Sequence, residues 1–314
     1  MEWHSSAGLR ATRPYLLRLG WLFATILCLI GALSPVARSQ SAGQGLPLWE
    51  IAAAGGHVYM LGSVHMLRES DHPLPAAIYD AYAAADALIM ELDITAIDPI
   101  ATQMLVNELG MIQNGKQLCD LLGSTDCAEA QRLAERVNIP LSMLTGAEPW
   151  FAAITIDALL LMRLGFSPAH GIETSLAASA AEDGKPVSGF ETERQQLEML
   201  DALSPEAQRD LLIETLLEGE DIAATMDDLV RSWRHGDTER LEAGLLREIR
   251  QYPEIYQAIV VRRNENWVEQ IIKLLDDRKN YLIIVGAMHM IGDNGVPALL
   301  RQRGYEVRQL RSAE

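Results

Sequence analysis

Positive charge is scarce in this chain. Its 314 residues carry 26 Lys and Arg against 43 Asp and Glu, a formal charge of −17. After residue 40 no basic run occurs. Binding duplex nucleic acid takes clustered Lys and Arg that displace condensed counterions, so nucleic acid is disfavoured as a partner. Cysteine is nearly absent, three in all, which rules out a disulfide-built miniprotein. No apolar run reaches the ~20 residues that a membrane-spanning helix needs. Three catalytic signatures are also missing. There is no Gly-x-Ser-x-Gly elbow, which disfavours a standard α/β-hydrolase. There is no Gly-x-x-x-x-Gly-Lys-Ser/Thr loop and no His-Glu-x-x-His helix, which disfavours P-loop nucleotide chemistry and a zincin-type metalloprotease.

The remaining composition is ordinary. A hydrophobic share of 49% at this length suits a globular chain with a sizeable core. The N-terminus stands apart. Arg10, Arg13 and Arg18 precede the apolar stretch Leu19 to Leu33, and Pro35 and Ala37-Arg38-Ser39 follow. Basic region, short apolar core and small-residue site together read as a secretory signal. Residues 1–39 are therefore expected to be a signal peptide, with cleavage near Ser39–Gln40 and a periplasmic or secreted product. The alternative is an uncleaved anchor, the one contact with a membrane. The mature part, 40–314, is expected to be a single domain. It keeps Cys119 and Cys127, which an oxidising compartment would join as a local disulfide; the alternative is two free thiols on a helical hairpin.

Along the mature part, Leu48 to Ala54 and His57 to Val64 flank Gly55-Gly56 and read as a β-hairpin. Pro75 to Asp86 reads as a helix. The continuous apolar run Ala87 to Met90 fits a buried parallel strand entering Glu91-Leu92-Asp93. Ile172 to Asp183 is a helix, and Val187 to Phe190 is a short strand running into Glu191. Tyr281 to Val285 is a strong strand, Val296 to Arg303 a helix and Tyr305 to Leu310 a last strand. Thr95 to Leu164 and Leu197 to Leu275 are helical. The fold class is α/β (or α+β): a central, mostly parallel sheet with a large helical insertion over roughly 95–275, interrupted by a short strand near 186–191. Met104, Met111, Met143 and Met162 in that insertion are assigned to core packing.

Chemistry gathers at strand ends. Gly62-x-x-His65 and Gly286-x-x-His289 each follow an apolar strand, and the carboxyl edge of an open α/β sheet is where ligands bind. Two imidazoles there suit a transition metal or an acid–base pair. Glu91 and Glu191 are strand-end carboxylates that need a metal, an Arg or solvent if buried. Asp93 is a second ligand or a cap. Glu173 sits in a helix first turn, where negative charge is favoured structurally; the alternative is a functional carboxylate like Glu191, and His170 beside it reads as a loop residue. Asn264 interrupts the apolar stripe Val260, Trp267, Ile271 and Leu274 of the helix Ile255 to Leu275, so it needs a partner. Arg263, flanking that stripe, suits a carboxylate or an oxyanion. His57, His72 and His235 fall in turns and are expected to be exposed.

These pieces together resemble the TraB/GumN family, which includes the Tiki proteases. The resemblance rests on Leu48-Trp49-Glu50-Ile51, Leu61-Gly62-Ser63-Val64-His65, Glu91-Leu92-Asp93, Gly171-Ile172-Glu173, Gly184-Lys185-Pro186-Val187, Glu191-Thr192 with Gln195 and Gln196, Arg263-Asn264 with Trp267, and Val285-Gly286-Ala287-Met288-His289. It implies a metal-dependent hydrolase, a peptidase, with His65, His289 and Glu91 as catalytic and metal-binding residues. Arg263 follows less directly because Arg262 is adjacent. Glu191 is a further candidate catalytic residue. The implied cofactor is a divalent metal (Mn, Co or Zn), and the implied substrate is a peptide or a small ester or amide. A more distant similarity to erythromycin-esterase-like and ChaN-like proteins keeps two alternatives. One is metal-free hydrolysis, with His65 or His289 as base and Glu91 orienting it. The other is a non-catalytic periplasmic protein that binds peptide or haem.

Overall fold

The computed structural model describes residues 45–52 and 56–311. The signal segment 1–39 and Gly55 of the glycine turn lie outside the described residues. The elements run in chain order as β1 (Gly45–Ala52), β2 (His57–Ser63), α1 (Ala76–Ala84), β3 (Ala87–Leu92), α2 (Pro99–Leu105), α3 (Leu118–Arg136), α4 (Pro149–Arg163) and α5 (Ile172–Asp183). They continue as β4 (Val187–Glu191), α6 (Glu193–Asp201), α7 (Pro205–Glu218), α8 (Ile222–Arg234), α9 (Thr238–Leu245), α10 (Pro253–Tyr256), α11 (Arg262–Leu274), β5 (Tyr281–Gly286), α12 (Val296–Gln302) and β6 (Val307–Arg311).

The strands form one six-stranded sheet in the order β4-β3-β5-β2-β1-β6. β4, β3, β5 and β2 are mutually parallel neighbours. β1 pairs antiparallel with β2 and with β6, so the fold is α/β with a mostly parallel sheet. β5 is buried at every position, as a central strand covered on both faces must be. Alternation along the strands then divides the core in two. Met60, Ile89, Ile283 and Val285 point to one face, where Trp267, Val268 and Ile271 of α11 and Leu300 of α12 cover them. Leu61, Leu88, Met90, Leu282 and Ile284 point to the other, beneath α1, α4, α5, α7 and α8. Helices α2 to α11 all lie between β3 and β5 in the chain, with β4 among them. Among the described residues no helix is long and apolar enough to cross a membrane.

Two local details matter for the site. The helical run from Pro253 to Leu274 is not uniform: residues 257–261 form a π turn between α10 and α11. Before and within it, Ile255, Ile259 and Val260 pack into the larger core; after it, Trp267 and Ile271 pack into the smaller one. In α8, the buried Trp233 donates from Nε1 to the Gly62 carbonyl (2.6 Å), tying the helical layer to the end of β2.

Two expectations need correction. Met104, Met143 and Met162 are 67%, 69% and 50% exposed and Met111 is half-buried, so this Met-rich stretch is not core. Their helices bury other side chains instead, such as Leu141 beside Met143 and Leu160 and Leu161 beside Met162. Composition does not say which way a Met points. His72 is half-buried, not exposed, and its Nε2 bonds the His170 carbonyl (2.9 Å). A disulfide joins Cys119 to Cys127 in α3.

Replacing Trp233 with Phe leaves the buried Gly62 carbonyl without its donor. The expected cost is about 1–3 kcal/mol of stability, read as a lower urea midpoint with an unchanged denaturant slope.

Candidate active site

β2 and β5 lie in register, Gly62 opposite Val285 and Ser63 opposite Gly286. The two Gly-x-x-His turns therefore leave the same sheet edge side by side. β3 pairs with the other side of β5 and delivers Glu91 to that edge, and β4 delivers Glu191 next to it. Gly286 is where these elements meet. A Cβ there would stand 3.1 Å from His65 Nε2 and 3.2 Å from Glu91 Oε1, tighter than ordinary van der Waals contact.

His65 is held from one side. Its Nδ1 bonds Glu173 Oε1 at 2.8 Å, and Ser63 Oγ donates to the same oxygen. Glu173 reaches this position because the start of α5 is pressed onto the β2 turn. The Ile172 N–H donates to the Val64 carbonyl (3.3 Å), and a Cβ on Gly171 would collide with the His65 carbonyl. His65 Nε2 faces Glu91 Oε1 at 4.0 Å, and at 40% exposure the His65 side chain is the most open of the site.

Glu91 is held from two sides. The Gly286 N–H donates to Oε1 (2.6 Å) and Arg263 Nη2 donates to Oε2 (2.6 Å). Arg263 itself is buried and spreads over three partners. Its Nε and Nη2 donate to Glu191 (2.7–3.1 Å), and its Nη1 donates to His289 Nε2 (3.3 Å). Glu191 is fully engaged, because Trp267 Nε1 (3.0 Å) and Gln196 Nε2 (3.2 Å) also donate to it. It anchors Arg263.

His289 is 2% exposed and lies against the Trp267 ring, 4.5 Å between centroids. Asn264 settles its tautomer. The Asn264 amide nitrogen donates to the Asn294 carbonyl (2.7 Å), so its Oδ1 accepts from His289 Nδ1–H (2.6 Å). His289 Nε2 is thus the bare nitrogen that accepts from Arg263. The polar interruption of the α11 stripe has its partner.

The electrostatics set the two histidines apart. Burial would lower the His65 imidazole, but the charge and hydrogen bond of Glu173, joined by the charge of Glu91, outweigh it and raise His65 to about 9. Burial lowers His289 to about 3, aided by the charges of Arg263 and His65. Burial would raise Glu91, yet Arg263 above all holds it well below the usual carboxylate range. Glu173 is likewise lowered against burial by His65.

The residues expected at the site, His65, Glu91, His289, Arg263 and Glu191, all meet at one sheet edge. Asp93 does not join them; it caps the following turn by accepting from Thr95 N–H (3.0 Å). Glu173 does join, although a first-turn acid reads as structural in sequence. Three of these side chains are the donors a metal would need. His65 Nε2 and His289 Nε2 stand 4.0 and 3.8 Å from Glu91 Oε1. However, Arg263 occupies the lone pair of His289 and one oxygen of Glu91, and Gly286 occupies the other. Among the described residues no group of three or more His, Cys, Asp or Glu is disposed to hold a metal ion. The arrangement does not fit a three-ligand centre built on His65, Glu91 and His289.

Comparison with known proteins shows the family. The TraB/PrgY/gumN family model matches residues 47–309, and the chain belongs to that family. It is 26% identical over 257 residues to the uncharacterized protein YbaP of Escherichia coli K12, covering 81% of this chain and 92% of YbaP. It is 22% identical over 306 residues to Metalloprotease TIKI2 of Danio rerio, covering 79% of this chain and 57% of that protein. A 75-residue stretch is 36% identical to a Metalloprotease TIKI homolog of Amphimedon queenslandica. No solved structure matches the chain.

In a histidine-labelled sample followed by NMR, His65 is expected to stay protonated up to about pH 9, and His289 to stay neutral down to about pH 3. Glu173→Gln removes the largest charge favouring the His65 imidazolium. The His65 midpoint then moves down toward the ordinary ~6.5, while His289 does not move up. Coincident titration of both rings near the ordinary value would contradict the assignment.

Proposed function

We propose that the chain is a hydrolase of peptide bonds or related amides and esters, centred on the His65–Glu173 pair and Glu91. One observation carries the reading: the His65 side chain is 40% exposed and its Nε2 faces an ionised carboxylate 4.0 Å away, while Nδ1 is fixed by a second carboxylate at 2.8 Å. That is the arrangement of an oriented general base. In its neutral form His65 takes a proton from a water placed between Nε2 and Glu91 Oε1. The hydroxide attacks the carbonyl carbon of the scissile bond, and the proton passes from His65 to the departing nitrogen or oxygen. Glu173 keeps the imidazole aimed and supports its positive charge. Arg263 keeps Glu91 ionised and in place, and Glu191 and Asn264 position Arg263 and His289. Export through residues 1–39 belongs to the same proposal.

A metal-dependent variant is the second reading. The relatives named as metalloproteases favour it, as does the convergence of both imidazoles on Glu91. A divalent cation at those donors would have to displace Arg263 from His289 and Glu91. Bound metal separates the two readings. Under the first, purified protein exposed to Mn, Co and Zn retains no stoichiometric metal by mass spectrometry, and chelator leaves turnover of fluorogenic peptides intact. Stoichiometric metal that disappears in His65→Ala, with activity lost on chelation, would overturn the first reading in favour of the second.

Under the first reading, His65→Ala lowers kcat/KM by about 10²–10⁴-fold, and Glu173→Gln lowers it by less, because the base remains but loses its orientation. Full activity in His65→Ala would remove the basis for either version.

A further inference from the structure

Among the described residues the parallel sheet ends at β4, which pairs with β3 alone. Leu88 N–H donates to the Pro186 carbonyl (2.9 Å), with Leu88 opposite Val187 and Met90 opposite Gly189. In this parallel ladder the peptide groups of Ser188 and Phe190 turn toward β3, and those of Val187, Gly189 and Glu191 turn outward. No backbone hydrogen bond among the described residues uses the outward groups. Ser188 and Gly189 are exposed. Proteins usually blunt such an edge with Lys, Pro or a covering element; within β4 the sequence is Val-Ser-Gly-Phe-Glu, with neither residue.

A groove of about 620 Å³ runs beside this edge, lined by Phe190 and Glu191 at the end of β4, Met199 of α6, and Arg262, Asn266 and Lys273 along α11. Arg263, near the start of α11, bonds Glu191 at the end of β4, so α11 runs back alongside the strand. Arg262 to Lys273 spans about 16 Å of helix, the length of about five residues of extended chain. The groove also reaches the site, because Phe190 stacks on Trp267 (5.7 Å) and Trp267 lies against His289.

We infer that the ligand of this edge is an extended peptide segment that adds to β4 as a further strand. Its main chain pairs with Val187, Gly189 and Glu191, and its side chains of one phase lie in the groove. Main-chain pairing supplies affinity largely independent of sequence, and the groove supplies selection at alternate residues. The inference rests on the hydrolase reading and specifies the substrate: unfolded or extended polypeptide, not a small ester.

The test uses the full chain and a mixed pool of decapeptides carrying a fluorophore and a quencher. Hydrogen–deuterium exchange is followed in His65→Ala with the pool at millimolar concentration, and turnover is followed in wild type by fluorescence. Exchange at the amides of Gly189 and Glu191 is expected to slow by at least about ten-fold. Pools N-methylated at every amide nitrogen are expected to lose that protection, because the methyl groups block strand pairing in either register. Unchanged exchange in 186–191, or protection that survives full N-methylation, overturns the inference. Turnover without protection leaves the hydrolase standing and removes the edge; protection without turnover keeps the edge as a peptide-binding site and removes the hydrolase. If His65→Ala does not fold, unlabelled decapeptides competing with wild-type turnover give the same answer: the plain pool raises the apparent KM and the fully N-methylated pool does not, or the inference fails.

Discussion

Arg263 brings a permanent positive charge to a place only 10% open to solvent on its side chain, and the rest of the site is arranged around that charge. A buried guanidinium is costly unless its donors are matched. Here Glu91 and Glu191 accept from it on two sides and neutral His289 accepts from a third. Each partner is fixed in turn by another element: Glu91 by the Gly286 N–H, Glu191 by Trp267 and Gln196, His289 by Asn264. β3, β4, α11 and the turn after β5 are therefore bound to one side chain. Loss of any one carboxylate would leave the guanidinium part-paired, and loss of the guanidinium would leave two buried carboxylates close together.

That constraint explains the asymmetry of the two histidines. The two motifs look equivalent in sequence, Gly-x-x-His at the ends of neighbouring strands. The motif after β5 turns its ring inward, onto Trp267 and toward Arg263, so the neutral form is favoured. The motif after β2 meets Glu173 and solvent, so the charged form is favoured. One ring completes the scaffold and the other is free to exchange protons.

Much of this arrangement can be read from the residues alone. Apolar runs such as Ala87 to Met90 and Tyr281 to Val285 mark central strands, because a strand covered on both faces has no polar phase. The polar residues that follow such runs must then share an edge, which gathers His65, Glu91, Glu191 and His289. Asn264 on an apolar stripe announces a buried partner. Other features leave no such trace. Glu173 is indistinguishable from an ordinary first-turn acid until α5 is docked on the β2 turn. The outward methionines share their composition with core ones. The edge position of β4 depends on strand order, which the local pattern of Val187 to Phe190 does not encode.

The π turn at residues 257–261 has a consequence for how this helix can vary. A regular helix advances its side chains by about 100° per residue, and a single added residue in one turn shifts everything beyond it by that amount. Ile259 and Val260 serve one face of the sheet while Trp267 and Ile271 serve the other, and Arg263 and Asn264 stand just past the changeover. The π turn thus acts as a phase adjuster between two packing problems. Length changes in the loops around it need not disturb the site. A one-residue deletion inside it would leave the helix intact and rotate the guanidinium away from the carboxylates it serves.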